Sequence, residues 1–229
     1  MTHPKLRIAV LASGHGSNLQ AVIDAVAEGL LHVELAGVFS DRAEAGALKR
    51  ARAAGAPALA LEPKDFPNRL RFDESLFSHI DAVHPHVIVC AGYMRLVSER
   101  EVTARLGRMI NIHPSLLPAF KGLHTHKRAI ESGAAVHGAS VHFVAPELDG
   151  GPVIAQAHVP VCLGDDPDRL ARRVLQREHP LLVQTVRLLA QRRLTLDGQA
   201  VVLDGHRLDR PLQLTGDDRL LNSNIQAQE

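Results

Sequence analysis

After a short polar start the chain runs through a stretch, Leu6 to Ala12, that is apolar apart from Arg7 and has the length and composition of a buried strand. The stretch breaks at Ser13-Gly-His-Gly-Ser-Asn18, and the pattern then turns helical over Leu19 to Val26. Val33 to Phe39 is apolar and β-branched and predicts a second strand. Asp41 to Ala54, rich in Ala, Arg and Lys, predicts a helix closed by Gly55. Pro57 to Leu61 predicts a short strand. Leu70, Phe72, Leu76, Phe77 and Ile80 give Asn68 to Val83 helical spacing, and Val87 to Ala91 is again a buried strand.

The alternation of strands and helices predicts parallel strands joined by crossover helices. The middle of the chain differs. Arg108 to Ile112 reads as a strand, and Val136–Val144 and Val153–Val161 are two strand-like runs separated only by the segment Pro146 to Pro152. No crossover helix fits there, so these two are expected to pair antiparallel. Asp168 to Leu189 predicts a long helix. The expected fold is α/β: a doubly wound, mostly parallel Rossmann-like sheet with an antiparallel strand pair after the strand at 108–112. One domain is expected over residues 1–214, followed by a polar, patternless mobile tail over 215–229.

Composition narrows the function. With 229 residues and 45% apolar content the chain can bury one substantial core without staples. Lys plus Arg is 26 and Asp plus Glu is 25, a net charge of +1, and aromatics are only 3%. That balance argues against a nucleic-acid partner, which would call for a basic patch and stacking platforms. No apolar run approaches the roughly 18 residues of a membrane span, and no signal peptide fits the start. Two distant cysteines make no disulfide framework, so a reducing cytoplasm is expected.

The segment Gly14-x-Gly16-Ser17-Asn18 follows a strand and opens a helix. Glycines let backbone approach a ligand, and first-turn N–H groups face an anion. Ser17 and Asn18 add donors and can cap the helix. A dinucleotide fingerprint would need a third glycine where Leu19 stands, although Asp41 lies where an acid would meet a ribose. No Gly-Lys-Ser/Thr follows, so this is not a Walker loop. A single phosphate fits better; a tight turn without ligand is the plain alternative.

In the strand at 108–112 and just beyond it, Asn111 and His113 alternate with Ile110 and Ile112, so both polar side chains point to one face before Pro114 ends the strand. The carboxyl end of a sheet strand is where doubly wound folds bind ligands. His113 can serve as acid, base or cationic donor, and Asn111 as a fixed donor to an oxyanion. Asp149 precedes Gly150-Gly151 and reads either as a loop packed against something or as an Asp-Gly hairpin turn. The chain holds 14 histidines, but His124, His126, His137 and His142 lack acids or cysteines at ligand spacing. No metal is expected.

Together these segments resemble the phosphoribosylglycinamide formyltransferases, folate-dependent enzymes of purine synthesis. The motifs are Ser13-Gly-His-Gly-Ser-Asn-Leu-Gln-Ala21, Ala91-Gly-Tyr-Met-Arg-Leu-Val97, Asn111-Ile-His-Pro-Ser-Leu-Leu-Pro118, Gly122-Leu-His-Thr-His126, His137-Gly-Ala-Ser-Val-His-Phe143 and Glu147-Leu-Asp-Gly-Gly-Pro-Val-Ile154. They run in the family's order over about residues 6–205. His15 sits at the family's variable loop position, and Tyr93 stands where Phe is usual. The resemblance implies that 10-formyltetrahydrofolate donates a formyl group to the amine of glycinamide ribonucleotide. It implies Asn111, His113 and Asp149 as catalytic, and Gly16, Ser17, Asn18 and Glu178 as substrate-binding. Arg69, Met94, Arg95, Leu96, Val97, Ala145, Pro146, Glu147 and Leu148 would take the folate.

The implied partners are the two small molecules, with no nucleic acid and no membrane, and a homodimer is left open. A formyltetrahydrofolate deformylase, a methionyl-tRNA formyltransferase and a non-catalytic nucleotide-sensing Rossmann module are the rival readings. The tRNA enzyme needs an added C-terminal domain and the deformylase an N-terminal module, and Leu19 argues against the sensor.

Overall fold

The structure, a computed structural model, describes residues 4–222. One domain over 1–214 is the sequence expectation; the fold is described below as two compact units that divide between Asn111 and Ile112.

In the first unit β1 (Leu6–Leu11), α1 (Ser17–Ala27), β2 (Val33–Ser40), α2 (Gly46–Ala53), β3 (Ala58–Ala60), α3 (Arg69–Ala82), β4 (Val87–Cys90) and α4 (Glu99–Thr103) lead into β5 (Met109–His113), which crosses the division. The strands pair in the order β3-β2-β1-β4-β5, all parallel. Ile8 to Leu11 are fully buried, as a strand covered on both faces requires. Strand order reverses at β1, whose neighbours are β2 and β4, so the crevice at its carboxyl end is the switch point where such folds take ligands. The loop 13–18 begins there.

Local chemistry sets the boundaries. The Asn68 side chain accepts the Arg71 N–H at 3.0 Å, capping α3. The helix expected from Asp41 starts only at Gly46, because Ser40 Oγ accepts the Arg42 N–H at 3.1 Å and turns the chain first. Buried Phe72, Leu76, Phe77 and Ile80 on α3 form much of this unit's core. Beside them Arg105, almost wholly buried, pairs with Glu101 at 2.6 Å and Asp81 at 2.5 Å, its guanidinium 4.5 Å from the Phe77 ring centre.

The second unit contains α5 (Thr125–Glu131), β6 (Val136–Phe143), β7 (Val153–Pro160) and α6 (Pro167–Ala190). β6 and β7 pair antiparallel, as the short connection requires. α6 starts with Pro167 behind Asp166, whose side chain accepts the Arg169 N–H at 2.7 Å. Its buried face carries Leu170, Val174, Leu181, Leu182 and Val186. Beyond it β8 (Leu194–Asp197), β9 (Ala200–Leu203) and β10 (His206–Arg207) form a small antiparallel sheet.

The expected tail from Thr215 needs correction as far as residue 222. β11 (Leu212–Leu214) pairs parallel with β7, and β12 (Leu220–Leu221) turns back onto β11. Arg177 of α6 fastens this hairpin, donating to Asp218 Oδ1 and the Thr215 carbonyl, each at 2.6 Å. Strands this short show no periodicity in the sequence; the unpaired edge of β7 recruits them. Residues 223–229 of the expected tail lie outside the described residues. Among the described residues no helix is long and apolar enough to cross a membrane.

Candidate active site

The loop after β1 leads directly into the first turn of α1. Gly16 has a left-handed φ of 79° and caps α1 with no side-chain cap bond, so Ser17 and Asn18 are the first helical residues rather than its caps. The first-turn N–H groups of a helix have no intrahelical partner, and here no side chain at the cap claims them. Asn18 is buried and Ser17 half-buried. Ser13, at the start of the loop, donates its N–H to the Gly92 carbonyl and accepts the Met94 N–H on Oγ, both at 2.9 Å. The loop is thereby tied to the segment 92–97.

That segment carries the residues expected to take the folate. Met94 and Leu96 are 61% and 55% exposed, unusual for such side chains. Arg95 is half-buried, 5.4 Å from the Phe72 ring centre, and Val97 is half-buried. Arg69 is exposed as the first residue of α3. Asp73, buried between them, accepts the Ser98 N–H at 2.7 Å; burial raises its carboxyl above the usual range against the pull of Ser98, Arg69 and Arg95.

A polar cluster lies around the end of β5. Asn111 and His113 are two residues apart on that strand, half-buried and buried respectively. His113 Nδ1 lies 3.5 Å from Asp149 Oδ2, and the two side chains are only 8% and 10% exposed. His113 Nε2 donates to the Phe120 carbonyl at 3.1 Å. Both ring nitrogens thus face oxygens.

Asp149 sits in the β6–β7 connection with φ 46°, which Asp tolerates better than most residues. Its carboxylate accepts the Gly122 N–H at 2.8 Å, and Oδ1 stands 3.7 Å from His142 Nε2. The turn at Asp-Gly-Gly connects two paired strands and brings the Asp149 carboxylate to 3.5 Å from the His113 ring. Gly151 packs against the Phe143 carbonyl where a Cβ would collide, which accounts for the second glycine. Ala145 and Asp149 are half-buried and Pro146, Glu147 and Leu148 exposed on the same connection; Glu147 pairs with Lys121 at 2.7 Å. Glu178 is buried on α6.

The sequence reading missed His142 as a neighbour of Asp149. It is 2% exposed, donates Nδ1–H to the Phe143 carbonyl at 2.8 Å, and burial lowers its pKa. Burial also lowers His126 and holds His137 down at about 4; the rings of these two meet at 3.2 Å. Position within a strand gave no signal for this, because β6 is buried on both faces over most of its length and its alternation is hidden. Among the described residues no three His, Cys, Asp or Glu side chains gather as metal ligands.

Comparison with known proteins gives this arrangement a context. A family model described as formyl transferase matches residues 6–186. The chain is 47% identical over 203 residues to the phosphoribosylglycinamide formyltransferase of Escherichia coli strain K12, spanning 89% of this chain and 96% of that one. It superposes on the phosphoribosylglycinamide formyltransferase of Coxiella burnetii with a TM-score of 0.86 at 44% identity, over 89% of this chain and 96% of the other. For glycinamide ribonucleotide transformylase 1 of Symbiobacterium toebii the TM-score is 0.85 at 45% identity, over 88% and 95% of the two chains.

Proposed function

The chain belongs to the formyl transferase family, and from that premise we propose that it moves the formyl group of 10-formyltetrahydrofolate onto the amine of 5'-phosphoribosylglycinamide. The observation that carries the chemistry is the buried His113–Asp149 pair at 3.5 Å, two residues beyond Asn111 on β5.

Each part has a physical task. The N–H groups of Gly16, Ser17 and Asn18 hold the substrate's phosphate at an uncapped helix start. Glu178 binds on the ribose side. The exposed Met94 and Leu96, with Val97, offer an apolar face to the flat pterin ring, and residues 145–148 are assigned to the same co-substrate. Arg69 and Arg95 supply positive charge for an acidic folate tail.

The amine's lone pair attacks the formyl carbon, and the carbonyl electrons move onto oxygen. Asn111 and protonated His113 stabilise that oxyanion by donating hydrogen bonds. Asp149 lowers the cost of positive charge on His113, and its carboxylate orients the water that takes the amine's proton. The intermediate collapses with cleavage of the bond from the formyl carbon to N10, and His113 returns a proton to the departing nitrogen. Holding amine and formyl group together supplies much of the acceleration. No side chain forms a covalent bond, and no metal is assigned a role. The reading extends to a cytoplasmic enzyme acting on two small molecules, and light scattering decides whether it works as a homodimer.

The test is turnover of 10-formyltetrahydrofolate by the purified chain, followed as tetrahydrofolate absorbance with and without glycinamide ribonucleotide. Turnover that requires the ribonucleotide supports the assignment. Turnover without it converts the reading to a deformylase, and no turnover by folded protein overturns both.

A further inference from the structure

The glycine loop is held from behind by α2. The Gly14 carbonyl accepts the Ala47 N–H at 3.2 Å. A Cβ on Gly16 would lie 2.6 Å from the Ala47 Cα, and one on Gly46 would lie 2.8 Å from the His15 carbonyl oxygen. Loop and helix are therefore in backbone contact with no room for side chains between them. Arg50, one turn further along α2, reaches back to the same place. Its Nε donates to the His15 carbonyl at 3.0 Å, and one terminal nitrogen donates to Gln20 Oε1 at 2.8 Å. The other terminal nitrogen stands 3.3 and 3.2 Å from the two ring nitrogens of His15. Among the described residues no carboxylate pairs with Arg50, so its charge is not neutralised locally.

The consequence follows from peptide geometry. In a planar trans peptide the C=O and the N–H point in opposite directions. Arg50 draws the His15 carbonyl toward α2, so the N–H of the same peptide, which belongs to Gly16, is turned away from α2. The Ala47 N–H does the same for the peptide between Gly14 and His15. Two successive amides are aimed by contacts behind the loop. A hydrogen bond from a cation to a carbonyl also polarises the peptide and strengthens its N–H as a donor.

We propose that Arg50 is a positioning residue for the substrate's phosphate: it aims the Gly16 N–H and adds a nearby uncompensated positive charge, without being needed for the chemical step. This rests on the reading of residues 16–18 as the phosphate-binding segment. Sequence position gave no hint of it, since Arg50 is one of several basic residues on an Ala/Arg/Lys-rich helix.

The experiment compares the full chain with Arg50→Met, which keeps the aliphatic stem, and Arg50→Lys, which keeps the charge but loses the fork. kcat and KM are measured for both substrates, with inorganic phosphate as competitor and Tm as the fold control. Arg50→Met is expected to raise KM for the ribonucleotide about tenfold, the scale of one lost charge-assisted hydrogen bond. Inhibition by inorganic phosphate weakens in proportion, kcat stays within about threefold, and KM for the formyl donor does not move. Arg50→Lys falls between. An unchanged ribonucleotide KM, or an equal rise in both KM values, overturns the inference and leaves Arg50 a packing residue. If Arg50→Met does not fold, Arg50→Lys decides: a ribonucleotide KM equal to wild type overturns the inference. Wild-type turnover with competitive inhibition by phosphate keeps the phosphate reading, whatever Arg50 does. A wild type that neither turns over nor responds to phosphate removes that reading and this inference with it.

Discussion

Replacing Asp149 by Asn removes a charge while keeping shape. The amide oxygen still accepts the Gly122 N–H, which Asp149 now takes at 2.8 Å, so the connection between β6 and β7 should hold its conformation. What is lost is the attraction between a carboxylate and positive charge on His113 at 3.5 Å, between side chains that solvent barely reaches. At an effective dielectric near 20 that attraction is about 5 kcal/mol, and a neutral amide dipole recovers only part of it. The net loss falls on the state in which His113 is charged, which in the proposed mechanism is the transition state. At about 1.4 kcal/mol per decade, kcat should drop on the order of 10²- to 10³-fold. KM for both substrates should stay within about threefold, because neither needs the carboxylate to bind. Steady-state absorbance kinetics reads both quantities, with Tm as the control for fold. A kcat within tenfold of wild type, or a loss carried entirely by KM, refutes the reasoning and makes Asp149 a binding or turn residue.

Three further outcomes follow from the packing. Gly151→Ala should destabilise the chain by about 1–3 kcal/mol, because the new methyl meets the Phe143 carbonyl; urea unfolding measures it, and an unchanged midpoint contradicts the close packing. Arg105→Ala should cost about 3–5 kcal/mol by stranding buried Glu101, whereas a surface pair such as Arg207–Asp197 should cost less than about 1 kcal/mol when broken. His126, His137 and His142 all have folded-state pKa values below the ordinary 6.5, held there first by burial. The unfolded chain therefore binds more protons in acid, so stability should fall as pH drops below about 6.5, at up to about 1.4 kcal/mol per pH unit for each histidine. For His137 the loss continues to about pH 4. Unfolding free energies between pH 8 and pH 4 test this, and a flat profile across that window would contradict the neutral, buried state of these rings.

Much of the architecture was legible in the residues alone. The apolar run Ile8–Leu11 declares a buried strand because every one of its residues is covered. The gap between β6 and β7 is too short for a crossover, so their antiparallel pairing follows from chain length. Gly16, Asn111 and His113 could be singled out because what marks them is local backbone: a left-handed turn before a helix, and two alternate positions on one strand. The terminal hairpin was not legible. Two- and three-residue strands carry no period, and β11 exists because β7 presents an open edge. Asp149 was visible only as a turn residue or through likeness to a family.

Tertiary structure alone decided the rest. Segments far apart in sequence must be folded before the Asp149 carboxylate reaches His113, before His142 becomes its neighbour, and before Arg50 meets the His15 carbonyl. Side-chain direction, burial and the resulting loss of solvent screening set the electrostatics of those contacts, and none of them is a property of a residue type or of a spacing. Short-range stereochemistry writes elements into a sequence; charge, hydrogen-bond direction and proton affinity depend on what the fold brings within a few ångströms.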